Sequence, residues 1–128
     1  MTARLKPLDV FERCRVIFKQ LAESEAGLDA VARSLREWSV REPGSLAIRG
    51  LRADLLAGGG RYRDALEEYS WILEQGRPGV SVLAAKARCE LALGQREAAA
   101  RTLAVAQKLE PWRLELVPVE RELGTTSE

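Results

Sequence analysis

The sequence predicts an all-α fold built from three helical hairpins in tandem, closed by a short C-terminal cap. Three observations carry that expectation. Leu (19) and Ala (18) dominate the apolar residues while 2 Phe, 2 Tyr and 3 Trp supply the aromatics, a helix-forming mixture poor in strand formers. Apolar residues recur at the i, i+3, i+4, i+7 spacing of one helix face. That pattern returns every 34 residues, with prolines closing the units at intervals of 35 and 33, and such a period marks a stacked helical unit.

The second unit shows the pattern best. Ile48, Leu51, Leu55 and Leu56 form one stripe that stops at Gly58-Gly59-Gly60, a stretch too flexible to continue a helix. Tyr62, Ala65, Leu66, Tyr69, Ile72 and Leu73 form the next, and Pro78 closes the unit. In the third unit Val80, Leu83, Ala84, Ala87 and Leu91 precede Gly94, Ala99, Leu103 and Ala106 follow it, and Pro111 ends it. In the first, Val10, Phe11, Cys14, Ile17, Phe18 and Leu21 precede Ala26-Gly27, with Leu28, Val31, Leu35 and Trp38 before Pro43. The units span about 8–43, 45–78 and 80–111 of one domain covering 1–123. Residues 112–123 form the cap, with Trp112, Leu116 and Leu123 as its apolar side. Because a mid-helix proline costs about 3 kcal/mol, the cap is expected to break into a turn and a short helix beginning near Pro118. Gly124 ends it, and 124–128 is expected to be a disordered tail.

Composition removes several chemistries. The chain has no His, which excludes Ser-His and Cys-His nucleophile pairs, an imidazole acid–base group and a His metal ligand. Cys14 and Cys89 are too few and too far apart for a thiolate zinc site and are expected to pack as small apolar residues. No phosphate-binding glycine motif or nucleophile elbow is present, and Gly58-Gly59-Gly60 follows a helix where a phosphate loop would follow a strand. The carboxylates Asp64, Glu67, Glu68, Glu120 and Glu122 fall on helix surfaces, where pairing with Arg is the usual fate, as for Glu37 with Arg41 or Glu97 with Arg101. No catalytic residue, metal or cofactor is therefore expected. Met1 to Asp9 is polar and no apolar run approaches the roughly 20 residues of a membrane span, so a cytoplasmic location is expected. The net charge of +1 gives no general attraction to nucleic acid, although 16 Arg keep an RNA-binding helical repeat in consideration.

The 34-residue period resembles the tetratricopeptide repeat. The second unit carries Ala53, Ala65-x3-Tyr69 and Pro78 where that family has a late small residue, Ala-x3-aromatic and a closing proline. The third carries Leu83, Ala87, Ala99-x3-Leu103 and Pro111. Departures are Arg49 and Arg52 at apolar positions of the second unit, Lys86 and Glu90 in the third, and Lys19 and Val31 in the first. The resemblance implies a short right-handed solenoid whose first helices line a concave groove. It places Val16, Gln20, Ala47, Gly50, Asp54, Ser81, Ala84, Arg88 and Leu91 in that groove, flanked by Arg49 and Arg52. The two arginines either pair with Asp54, Glu67 or Glu68 or bind a partner's carboxylates. Small residues there leave room for an inserted helix or extended peptide, or serve only to let the helices curve tightly.

The implied function is protein binding without catalysis. Among compact proteins of this family the chain looks like the bacterial type III secretion chaperones, which hold an export component in the groove. A general scaffold or assembly adaptor is the alternative. The first helix has more apolar surface than one neighbour can cover, which points to a homo- or hetero-oligomeric contact. Of the tryptophans, Trp38 is expected in the core, Trp112 in the cap, and Trp71 packed against a neighbouring repeat or anchoring an interface.

Overall fold

The computed structural model describes residues 7–76 and 79–124, with 7–10 as helix backbone. Every described element is helical: α1 (Pro7–Leu21), α2 (Glu25–Arg41), α3 (Leu46–Gly58), α4 (Tyr62–Glu74), α5 (Val80–Ala92), α6 (Arg96–Leu109), a 3-10 turn (Leu114–Leu116) and α7 (Val117–Leu123). Each helix from α2 to α6 packs on the one before it and the one after it, and α3 also touches α5. None of the described helices is long and apolar enough to cross a membrane. Pro78 and residues 125–128 lie outside the described residues, as does the side chain of Val10.

The 34-residue offset relates α3 to α5 and α4 to α6, start for start. Their turns are alike. Gly60 and Gly94 adopt φ of 81° and 79°, the left-handed region that favours glycine. The next N–H returns to the helix just left: Arg61 donates to the Leu56 carbonyl (2.9 Å) and Gln95 to that of Glu90 (2.8 Å). The first turn is built differently. Ser24 caps α2 by accepting from the Gly27 N–H at 3.0 Å. Gly27 therefore sits inside the helix and not in the turn, and a Cβ there would lie 1.8 Å from the Leu21 carbonyl oxygen.

The core runs as three clusters along the stack. Val31, Leu35, Ile48 and Leu51 join α2 to α3, with Phe11, Phe18 and Trp38 against them. Ala32, Ala53, Leu56, Ala65, Tyr69, Ala85 and Cys89 join α2, α3, α4 and α5. The third cluster contains Leu83, Ala84, Ala87, Ala99, Leu103 and Ala106 together with Leu116 and Val119 of the cap. Ala53, Ala65 and Ala99 have no exposed surface, as close helix crossings require.

The cap divides as its proline demands. Pro118 occupies the first turn of α7, and Gly124 closes the helix in the left-handed conformation. Of its expected apolar anchors Leu116 is buried and Leu123 packs against the last core cluster, whereas Trp112 is 72% exposed and Val119 is buried in its stead. Two other surface expectations are corrected. Glu120 is buried, and neither Glu37 with Arg41 nor Glu97 with Arg101 closes an ion pair. The pairs that form instead include Arg61 with Asp29 and Arg15 with Glu12. Trp38 lies at the rim of the core, half-buried against Phe11, and its indole N–H donates to Glu42 at 2.6 Å. On α1, Val16, Ile17 and Leu21 remain half-exposed.

Enlarging a wholly buried alanine forces neighbouring helices apart. Ala65→Leu and Ala99→Leu are each expected to destabilise the protein by about 1–3 kcal/mol, read as a lowered urea midpoint by circular dichroism. An unchanged midpoint would show that these crossings have room to spare.

Candidate functional site: a cleft between α3, α5 and the cap

Four residues expected in the groove, Asp54, Ser81, Arg88 and Leu91, line one cleft of about 620 Å³. Asp54 lies near the end of α3, while Ser81, Arg88 and Leu91 follow along α5. The remaining wall was not foreseen. Tyr62 and Tyr69 of α4, Ala57, Ala85, Cys89 and Ala92 complete the helical side, and Glu115, Pro118 and Glu122 contribute a wall from the cap.

The other groove positions part company with these four. Ala84 is buried, sharing a cluster with Leu116 and Val119, because the cap packs directly on α5 and covers it. The equivalent position one unit earlier, Gly50, stays open, with nothing within 4 Å of where a Cβ would stand. Ala47, Val16 and Gln20 are exposed but do not border the cleft. The expected groove is thus closed over at Ala84 and walled by the cap beside α5.

Arg49 and Arg52 turn into the protein. Both guanidinium groups hold Glu68 of α4, at 3.3 and 2.6 Å, and all three side chains are at most one-quarter exposed. Arg52 Nε also donates to the Ala32 carbonyl of α2 at 3.1 Å, so one side chain ties three helices together. The Arg49 guanidinium lies 3.7 Å from the centre of the Trp71 ring, a cation–π contact that accounts for Trp71. Its Nε is buried and meets no hydrogen-bond acceptor among the described residues. Shifting Arg52 and Glu68 by 34 gives Lys86 and Thr102, which meet on Glu90: Thr102 donates at 2.6 Å and Lys86 stands at 3.8 Å. Arg49, Arg52 and Glu90 are therefore helix-to-helix ties, with Lys86 joining Glu90 from within α5. Glu68, expected on the surface, belongs to one of them.

Within the cleft the phenol of Tyr69 donates to Asp54 Oδ1. Burial, and then that hydrogen bond, push the phenol well above the usual tyrosine range. Burial likewise raises the Cys89 thiol, which keeps it protonated and unreactive. Hydrogen bonding from Ser81 and Arg113 holds the Glu115 carboxyl below its ordinary value. Among the described residues no group of three His, Cys, Asp or Glu side chains is placed to hold a metal ion. The cleft offers fixed charges, hydroxyl groups and apolar surface, an inventory suited to binding.

Searches against protein families, curated proteins and solved structures find no match for this chain.

Two consequences can be measured. Glu68→Ala strands two partly buried guanidinium groups and is expected to cost about 2 kcal/mol in urea unfolding, against little for Glu67→Ala on the exposed side of α4; equal effects would refute the tie. The raised Tyr69 pKa favours the protonated native state, so its stabilisation is complete below the unfolded pKa of about 10 and is lost as pH rises above it. Cys89 adds a loss of the same sign from about pH 8.5. Tyr69→Phe should cost about 1 kcal/mol at neutral pH and flatten the decline above pH 10. A wild-type slope in the variant would remove Tyr69 from the account.

Proposed function

We propose that this protein is a non-catalytic protein-binding module whose α3–α5–cap cleft holds a segment of a partner chain. The observation that carries the reading is the cleft itself. A space of about 620 Å³ bordered by alanines, two tyrosines and separated charges accepts side chains, while its residues form no nucleophile–base pair. The equal offset of α3 to α5 and α4 to α6, with their matching turn glycines, supports a tetratricopeptide-like arrangement. Within that arrangement the narrower proposal is a chaperone of the type III secretion class, working in the bacterial cytoplasm. The half-exposed Val16, Ile17 and Leu21 on α1 support a second contact, to another copy or to the partner.

RNA binding is less well supported by the site. Arg49, Arg52, Arg61 and Arg113 are engaged by carboxylates of the chain itself, and the cleft contains more acidic than basic side chains.

Photo-crosslinking amino acids placed singly at Ser81, Leu91 and Ile17 test the proposal in the native host. Crosslinks from Ser81 and Leu91 to one partner segment are expected, with Ile17 reporting the second contact. Crosslinks confined to Ile17, with none from either cleft position, would move the binding surface to α1 and overturn the cleft reading.

A further inference from the structure

The charges around the cleft narrow the chemistry of its occupant. Three carboxylates, Asp54, Glu115 and Glu122, face it alongside one guanidinium, Arg88. Asp54 commits one oxygen to the Tyr69 hydroxyl, and Glu115 is shared with Arg113 at the rim. Among the described residues the Glu122 side chain has no ion pair or hydrogen bond; Arg96 reaches only its main-chain carbonyl. Arg88 forms no ion pair within 4 Å among the same residues, so it moderates the field without cancelling any one carboxylate. A chain of net charge +1 thus presents a locally negative cleft. Low-dielectric walls focus such a field on whatever enters. The carboxylates come from α3 and from both parts of the cap and form no metal-binding group among the described residues, a spread that suits a chain segment better than a single ion. Tyr62 borders the same space with an aromatic ring, a surface that attracts ammonium and guanidinium groups.

We infer that the cleft takes a cationic segment of a partner protein, with a Lys or Arg side chain among Asp54, Glu115 and Glu122 and apolar neighbours on the alanine-lined helical wall. This rests on the cleft being the binding surface and adds the charge of what binds there. An acidic segment would meet the Asp54 and Glu122 carboxylates, with Arg88 and the Glu115-paired Arg113 as the nearby cations. A neutral apolar segment would leave the Glu122 carboxylate partly desolvated without compensation.

Selection of random twelve-residue peptides displayed on phage, against the whole immobilised protein, tests the inference. Peptides enriched in Lys or Arg are expected, binding more weakly as salt is raised. The enriched peptides should lose about tenfold in affinity on the double variant Asp54→Asn, Glu122→Gln. The Asp54→Asn change keeps a side-chain oxygen that accepts from the Tyr69 hydroxyl, and an unchanged thermal midpoint would verify the fold. Arg88→Gln removes a like charge, so it should tighten the same peptides severalfold and gives an independent reading should the double variant prove unstable. Neutral or acidic peptides that compete with the Ser81 crosslink would overturn the cationic occupant while leaving the cleft as the binding surface. Basic peptides unaffected by any of these substitutions would place the charge recognition elsewhere and overturn the inference. No enrichment over blank beads, together with no crosslink at Ser81 or Leu91, would overturn both readings.

Discussion

Close approach of successive helices is the constraint on which the structure depends. At Ala53, Ala65, Ala99 and Ala106 no surface remains exposed, and Ala87 is almost as fully enclosed. Where the side chain is a single methyl group, two helix backbones come near enough for the longer residues on either side to interlock. Leu56 and Tyr69 fill the space beside Ala53 and Ala65, and Leu103 does the same beside Ala87 and Ala99. The turn glycines serve the same end, because a left-handed residue at Gly60 and Gly94 reverses the chain within a few residues.

That proximity also explains why charged residues appear where a helical repeat would ordinarily be apolar. Arg52 and Glu68 face each other across the α3–α4 contact, and Lys86, Glu90 and Thr102 occupy the corresponding place between α5 and α6. Each tie joins the two helices of a unit, and Arg52 extends the first to α2. A buried ion pair adds little net stability once desolvation is counted. Its geometric demand is stricter than that of an apolar contact, so these ties hold the helix pairs in one register.

The cap converts an open face into a cleft. Leu116 and Val119 anchor it in the last core cluster, covering Ala84 while Gly50 remains open. Having folded back onto α5, the same segment projects Glu115, Pro118 and Glu122 opposite Asp54 and Arg88. A segment that completes the core therefore also forms one wall of the proposed site. Stability of the last unit and shape of the cleft are linked through it.

Most of the secondary structure was legible in the sequence, because helix identity depends on local spacing. The 34-residue offset, the turn glycines, the break at Pro118 and the small residues at the crossings are all properties of near neighbours in the chain. The first turn was misread because a glycine required for close approach to Leu21 looks the same in sequence as a turn glycine. The candidate site was legible only by half. Asp54, Ser81, Arg88 and Leu91 were implied by the tetratricopeptide resemblance, yet Arg49 and Arg52 could equally have met a partner, and their engagement with Glu68 is a contact between residues far apart in the chain. The repeat offset held an unused signal, since Arg52 and Glu68 fall over Lys86 and Thr102. The cap gave no comparable signal. The sequence by itself determined the helices, their order and the absence of imidazole chemistry, all of which depend on local spacing or residue type. Tertiary structure alone decided which charges turn inward, that Ala84 is covered, and that Glu115, Pro118 and Glu122 of the cap form a wall of the cleft, because burial and charge pairing depend on which helices meet.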